Sequence, residues 1–509
     1  MNSSTSSTPE TTPVIAAIGE YTDRPAEPAH ALEPAASMAR ALEAANADGG
    51  GKLLEQIDTI DLIALISWPY ENPVGRVCEM LNISPACQRN TSYGGETPLR
   101  LIHEAALAIT RGEIKAAAVI GGESMNAVGK AMKAKTPLDW TPPAPKDKAY
   151  RFANDRIDLS QVVRNIGVRD PSHLYPLYET ALQGRRGQNP VQANQQSAEL
   201  WAEFADVAAD NPYAWLRHRP SAEDIGTVTE SNRIISWPYP KLMVANPSVN
   251  QSATVIVTSL ATARAAGVPE EQLIYLHGGA AAAEADNFLY RDRYDRSTAQ
   301  AAVLNKAVEI AGGDAKRFRH MELYSCFPVV PKMAQEVLGN PDIKPTVAGG
   351  LTFFGGPLNN YMSHATCAMV RALRAEPGEL GLLYGQGGFV TKHHTLVLST
   401  RPGTSPLDED YSVQAQTDAA AAPLPEVNTD YQGPAIVEAY TIQFERDGSP
   451  SQGIVVLRSP DNSQRTFARV EASDSASLNT LLNEDRSAIG VEGSVSLGAD
   501  GLPTWTVKE

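Results

Sequence analysis

Two stretches of the chain repeat one design. Residues 93–124 read YGGETPLRLIHEAALAITRGEIKAAAVIGGES, and residues 354–388 read FGGPLNNYMSHATCAMVRALRAEPGELGLLYGQGG. In the first, Gly94-Gly95 lets the backbone turn or pass close to another group. Pro98 suits the first turn of a helix, and Glu96 suits its positive N-terminus. Leu99, Ile102, Ala106 and Ile109 recur at helical spacing on one face. Gly112 stops the helix; residues 115–120 read as a short buried strand that Gly121-Gly122 ends. In the second copy Gly355-Gly356 precedes a helix, and Gly378-Glu379 ends it as Gly112-Glu113 ends the first. Residues 380–384 are the strand, closed by Gly387-Gly388. Strands at 60–66 and 321–325 precede the two glycine turns by roughly thirty residues each. Such a duplication predicts two α/β halves related by a pseudo-twofold axis, with the glycine turns face to face.

The rest of the chain falls into place around this repeat. Residues 14–19 form a first strand, 27–47 are helical, and 253–259 and 273–277 are further strands. Residues 13–125 with 246–268 make one half, and 269–400 the other. Between them, 126–245 is rich in Trp, Tyr, Pro, Asn and Arg and reads as an inserted loop domain, with a helix over 193–209. Residues 401–432 have a linker composition of Pro, Ala, Asp and Thr. Beyond lie strands at 436–444, 453–458 and 465–470, a helix at 475–482, and strands at 489–497 and 503–507. Three strands, a helix and two strands is the order of an OB-fold, so 433–509 is expected to be an OB-like barrel. Residues 1–12, polar and without an apolar core, read as a disordered tail and not as a signal peptide.

Composition removes several function classes. A chain of 509 residues, 42% hydrophobic and 20% charged, is ordinary for a globular protein of two to four domains. Its net charge of −16 argues against nucleic acid or anionic membrane as a partner. The four cysteines, Cys78, Cys87, Cys326 and Cys367, show no metal spacing and read as free thiols in a reducing compartment. With no membrane-length apolar run, the expectation is a cytoplasmic protein without a metal site.

The duplicated half, the inserted loop domain and several short motifs together resemble the thiolase superfamily. Tyr324-Ser325-Cys326-Phe327 looks like the NEAF motif, in the His-Asp-Cys-Phe variant of sterol-carrier-type thiolases. Gly355-Gly356-Pro357 stands where GHP is expected, and Gly385-Gln386-Gly387 where CxG is expected. Asn246-Pro247-Ser248-Val249-Asn250 resembles the segment whose Ser contacts coenzyme A. The extra C-terminal domain and GGFVTKHHTLVLS at 387–399 are similar to the thiolase-like proteins type 1, often labelled acetyl-CoA acetyltransferase. The resemblance covers roughly residues 13–400. It implies a five-layered αβαβα fold of duplicated βαβαβαββ halves. It also implies coenzyme A or an acyl-CoA as ligand, in fatty-acid or steroid metabolism.

The same resemblance puts Gly95 at the position of the nucleophilic Cys, Gly356 at that of the activating His, and Gly385 at that of the second Cys. None has a side chain that can attack or move a proton, whereas acyl transfer needs a thiolate, its base and a second acid/base. Tyr324, Cys326, Cys87 and His393 are candidate substitutes. Against them, Cys87 and Cys326 also read as packed thiols, His364 lies inside a helix, and His393-His394 begin a strand. The resemblance implies that Ser248 contacts the coenzyme A tail, and Arg185 and Arg186 are expected to meet the coenzyme A phosphates. Three readings follow: a degenerate thiolase that binds coenzyme A or an acyl-CoA, an acyltransferase or aldolase-type C–C lyase using displaced residues, and a scaffold partner of another acyl-CoA enzyme. Monomer and homodimer are both open.

Overall fold

The computed structural model describes residues 8–153, 159–339 and 342–508. Residues 1–7 of the expected tail lie outside the described residues. Residues just after them are tied down: the carbonyls of Pro9 and Thr12 accept from the amides of Ala261 and Leu260, both at 2.8 Å.

The first half contributes strands β1 (Pro13–Thr22), β2 (Thr59–Leu62), β3 (Cys87–Asn90) and β4 (Ala116–Ser124). The insert adds a small hairpin, β5 (Ile234–Ser236) and β6 (Tyr239–Pro240), and β7 (Asn250–Ser259) returns the chain to the first half. The second half contributes β8 (Ile274–Ala283), β9 (Phe318–Leu323), β10 (Leu380–Gly387) and β11 (Lys392–Ser399). The core strands run in the order β3-β2-β4-β7-β1-β8-β11-β10-β9. Among the described residues, strands of the two halves pair with each other only where Val14 and Ile15 meet Tyr275 and Ile274. On either side of that seam the order is mirrored, as the sequence repeat requires. The mirror is incomplete: among the described residues β3 has no counterpart in the second half. Chain beyond helix Val329–Leu338 instead caps the β9 edge, with the Leu323 amide donating to the Pro345 carbonyl at 2.8 Å.

Helices complete five layers. Pro34–Asp48 and Pro73–Leu81 lie outside the first half, and Thr298–Ile310 and Val329–Leu338 outside the second. Thr97–Thr110 and Tyr361–Ala375 lie between the two halves and touch both. This position explains a departure from the sequence pattern. Leu101 and Ala105, off the apolar face read from spacing, are buried as well, because sheets cover the helix on both sides. Burial of Leu99, Leu101, Ile102 and Ile109 stabilises this layer by about 1.5–3 kcal/mol each.

Residues 401–432 are not a bare tether. The Tyr411 carbonyl accepts from the Ala281 amide, and the Val413 amide donates to the Ala281 carbonyl, at 3.0 and 2.9 Å. A helix, Gln414–Ala420, follows, then β12 (Glu426–Val427). The C-terminal strands β13 (Gly433–Phe444), β14 (Pro450–Arg458), β15 (Gln464–Glu471), β16 (Glu492–Leu497) and β17 (Pro503–Val507) close a barrel in the order β13-β14-β15-β17-β16 and back to β13. Helix Ser475–Leu481 sits between its third and fourth strands, the OB-like order. The barrel is fastened to the insert: Gln443 pairs with Ser236, and the Trp237 amide donates to the Ile442 carbonyl at 2.8 Å. One hydrophobic cluster runs from the central helices through insert residues Trp201 and Phe204 to Ala439, Ile454, Val456 and Phe467 of the barrel.

Candidate functional site

The two glycine turns meet as the repeat predicts. The Gly94 amide donates to Asn359 Oδ1 at 3.0 Å, and Asn359 Nδ2 donates to the Ala64 carbonyl at 2.9 Å. Asn360 Nδ2 makes the parallel contact to the Gly121 carbonyl at 2.7 Å. Asparagine suits this place because its amide donates and accepts at once. Above the turns opens a cavity of about 780 Å³, with an apolar wall of Val244, Ala245, Phe327, Leu351 and Phe389. Gly95, Gly356, Tyr324, Cys326, Gln386 and Lys392 also face it.

The glycines at this cavity differ physically. A Cβ on Gly95 would lie 2.4 Å from the Tyr324 hydroxyl and 2.4 Å from the Gln386 carbonyl. The phenol ring of Tyr324 thus fills the space in front of Gly95. Around Gly356 the nearest atoms to such a Cβ stand at 3.4 Å, which is ordinary contact. Gly385 lies one strand position before Gln386, behind the cavity surface, and its Cβ would meet Met362, Glu96 and Leu99 at 3.1–3.2 Å. Gly387 is held closer still, against the Glu96 carboxylate.

Tyr324 is nearly buried at 6% exposure, yet its hydroxyl makes no hydrogen bond among the described residues. Burial, then the neighbouring Cys326 and Glu96, raise its pKa well above the ordinary phenol value, so it keeps its proton. Cys326 accepts from Gln386 Nε2 at 3.4 Å, and burial pushes its thiol up to about 12. Gln386 Nε2 also donates to the Tyr175 hydroxyl at 2.7 Å, and its Oε1 accepts from the Val390 amide at 3.1 Å. The glutamine therefore ties the Cys326 wall to helix Pro171–Arg186 and to the turn after β10.

Other sequence candidates lie elsewhere. Cys87 is on the edge strand β3, away from the cavity. His393 is enclosed in the second half, with Nδ1 2.8 Å from the Tyr384 hydroxyl and Nε2 3.3 Å from the Val390 carbonyl. Burial, and then the charge of Arg291, pull its pKa down to about 3, so it stays neutral. His394 pairs with His103, Nε2 to Nδ1 at 3.1 Å, and His364 Nδ1 with Glu20 at 2.6 Å. Ser248 is exposed, with its hydroxyl accepting from Asn126 at 3.1 Å; its neighbour Pro247 reaches the cavity. Arg185 and Arg186 are ion-paired, Arg185 to Asp295 at 2.7 Å and Arg186 to Glu336 at 2.7 Å. They end the helix whose other end lines the cavity, about 20 Å away at 1.5 Å per residue. Among the described residues, the cations that do face the cavity are Arg169 and Lys392.

Sequence reading missed Gln386, Asn359, Tyr175 and Arg169. Two left a signal: Gln386 stands between glycines in GQGG, and Asn359-Asn360 follows the second glycine turn after two residues. Among the described residues no cluster of His, Cys, Asp and Glu is arranged to hold a metal ion, and no helix is long and apolar enough to cross a membrane.

Five layers, mirrored halves and a cavity over two facing glycine turns define a thiolase-type architecture. Known proteins agree. Residues 413–501 match the family model described as the thiolase-like protein type 1 additional C-terminal domain. A monomeric SCP2-thiolase-like protein type 1 from Mycobacterium smegmatis superposes with a TM-score of 0.81 at 29% identity, over 98% of this chain and 99% of that one. The Ltp2-ChsH2(DUF35) aldolase gives a TM-score of 0.56 at 17% identity, over 77% and 98%. The dimeric peroxisomal thiolase of Saccharomyces cerevisiae gives 0.56 at 12%, over 78% and 99%. The last two show likeness of fold alone. No curated protein matches the chain. Along its whole length the chain is similar in fold to a thiolase-like protein type 1, and residues 413–501 correspond to the extra C-terminal domain of that family.

Proposed function

We propose that this thiolase-like protein binds coenzyme A or an acyl-CoA in the cavity over Gly95 and performs no ordinary acetyl-CoA acetyl transfer. The observation that carries the reading is Tyr324 standing where a side chain at 95 would have to be. Acyl transfer needs a thiolate to hold the acetyl group and a base to form it. The one thiol facing the cavity among the described residues, Cys326, is held neutral, and the candidate histidine His393 is turned away from it. General-base catalysis alone contributes about 10² to 10⁴-fold, and here the covalent step is missing too. The binding half of the reading rests on the volume and apolar lining of the cavity, which suit a pantetheine arm and acyl chain. Arg169 and Lys392 supply cations for charge-assisted hydrogen bonds to phosphate.

Calorimetric titration with coenzyme A tests binding, and intact-protein mass spectrometry after mixing with acetyl-CoA tests transfer. Binding heat without an adduct is expected. No heat and no thermal shift at millimolar coenzyme A would reject the site. An acetyl adduct on Cys326 or Cys87, lost together with thiolysis on its Ala substitution, would overturn the absence of transfer.

A second reading is favoured by one observation. A protonated Tyr324 hydroxyl, unbonded among the described residues and facing the cavity, can donate to the thioester carbonyl oxygen and so stabilise the enolate that forms as the Cα–Cβ bond breaks, one of the two proton roles of an aldol-type C–C lyase; the other, removal of the β-hydroxyl proton, falls to water in the cavity. Retro-aldol turnover of a β-hydroxyacyl-CoA that Tyr324→Phe abolishes, with coenzyme A binding retained, would establish it.

A further inference from the structure

Three consecutive carbonyls on one rim of the cavity are each held by a buried side chain. The Gly388 carbonyl accepts from the Tyr175 hydroxyl at 3.0 Å, that of Phe389 from the Tyr178 hydroxyl at 2.7 Å, and that of Val390 from Arg291 Nη1 at 3.3 Å. Val390 itself has φ +59°, a left-handed conformation that a β-branched residue rarely adopts. A turn of this kind persists only where its surroundings over-determine it. Gly388 and Phe389 face the cavity directly.

The holding groups lead back to the C-terminal barrel. Arg291 Nη1 also donates to the Tyr178 hydroxyl at 3.1 Å, and its guanidinium pairs with Glu284, whose own amide donates to the Thr391 carbonyl at 2.8 Å. The loop that carries Arg291 is gripped from the barrel by Arg465 on β15, which has no exposure at all. Arg465 donates to the carbonyls of Leu289 at 2.7 Å, of Asp292 at 3.2 Å and of Arg291, while Glu438 on β13 fixes its guanidinium through bonds of 2.7 and 2.8 Å. A planar guanidinium whose five donors reach two carboxylate oxygens and three carbonyls has one orientation available.

We propose that the C-terminal barrel positions the cavity wall: Arg465, acting through the 287–292 loop, Arg291 and Tyr178, fixes the Gly388–Val390 turn against the ligand. As far as it concerns ligand, this rests on the coenzyme A reading above. Arg465, Arg291 and Tyr178 are positioning residues, since none of them lines the cavity. The proposal gives the extra domain a role in the site although none of its strands reaches it.

Two variants and a control test it. Arg465→Met removes the grip, and Tyr178→Phe removes one hydroxyl from the relay while leaving the ring packed. Thr180→Val breaks a different barrel contact, the paired bonds of 2.9 and 3.0 Å between the Thr180 hydroxyl and the Tyr440 backbone; it lies on the same helix as Tyr178 but outside the chain of bonds that runs from Arg465 to the turn, so it controls for loosening of the helix against the barrel. Amide hydrogen exchange over residues 386–392 and the Kd for coenzyme A are measured for each. Both relay variants are expected to raise exchange in that peptide about tenfold and to weaken binding about tenfold, with the control within about twofold. Wild-type exchange in Tyr178→Phe would overturn the proposal, as would an equal rise in Thr180→Val. Should Arg465→Met fail to fold, Tyr178→Phe decides alone. A wild-type chain that does not bind coenzyme A removes the ligand reading, while the exchange data still judge the wall.

Discussion

The hydroxyl of Tyr324 lies 2.4 Å from where a Cβ on Gly95 would be, and the Gln386 carbonyl stands equally close on the other side. Tyrosine at 324 and glycine at 95 are therefore one structural decision. The Gln386 carbonyl belongs to a central strand and cannot swing away as a side chain could. Gly95→Ala is expected to destabilise the fold by about 1–3 kcal/mol through overpacking. Thermal unfolding checks this, and an unchanged melting temperature would show that Tyr324 moves freely.

Gly356→Ala is the counterpart. Its Cβ would meet neighbours at 3.4 Å or beyond, and the Gly356 amide keeps its 2.9 Å bond to the Asn246 carbonyl. Stability is expected to stay within about 0.5 kcal/mol of wild type. Denaturant titration of the two glycine variants side by side gives the comparison.

Cys326 is expected to be a poor nucleophile although it faces the cavity. With its pKa raised to about 12 by burial, its thiolate is a negligible fraction at neutral pH. Alkylation by iodoacetamide, followed residue by residue, should be slow at Cys326 at pH 7 and accelerate steadily with pH up to the limit of folding. A rate that levels off near pH 8 would contradict the burial argument.

Acid should weaken the fold through its buried histidines. His393 and His103 have folded-state pKa values lowered to about 3 and about 4, against an ordinary histidine value of about 6.5. Between those limits the unfolded chain binds protons that the native one refuses, so stability rises with pH and is lost as pH falls below about 6.5. Each histidine contributes a slope approaching 1.4 kcal/mol per pH unit. His393→Gln is expected to be less stable at pH 7, with a shallower decline between pH 6.5 and 4. Unfolding free energies of the two chains across that window check it, and parallel curves would count against a neutral His393.

Much of the architecture was legible because backbone geometry leaves marks in local sequence. Glycine pairs, helix stops and short apolar runs recur with the chain's internal symmetry, and they announced the facing turns at Gly94 and Gly355. The alternation of three strands, a helix and two strands announced the barrel. The second half's missing edge strand left no comparable mark, because a strand is defined by the neighbour it pairs with. The burial of Leu101 and Ala105 was hidden for the same reason, since spacing reports one apolar face and not how many sheets cover a helix.

The site divides along the same line. That Gly95, Gly356 and Gly385 carry no reactive group follows from the sequence alone, because a missing side chain is missing in any fold. Whether each glycine is imposed by its neighbours was decided in three dimensions, by Tyr324 from 229 positions further along the chain crossing over Gly95 while the space around Gly356 stays open. Arg185 and Arg186 had the right charge, but the rise of their helix carries them to its far end, into pairs with Asp295 and Glu336. Arg169, at the near end, faces the cavity instead. Composition and spacing determine which groups a chain possesses; distances between residues remote in sequence, set by packing, determine which of those groups meet.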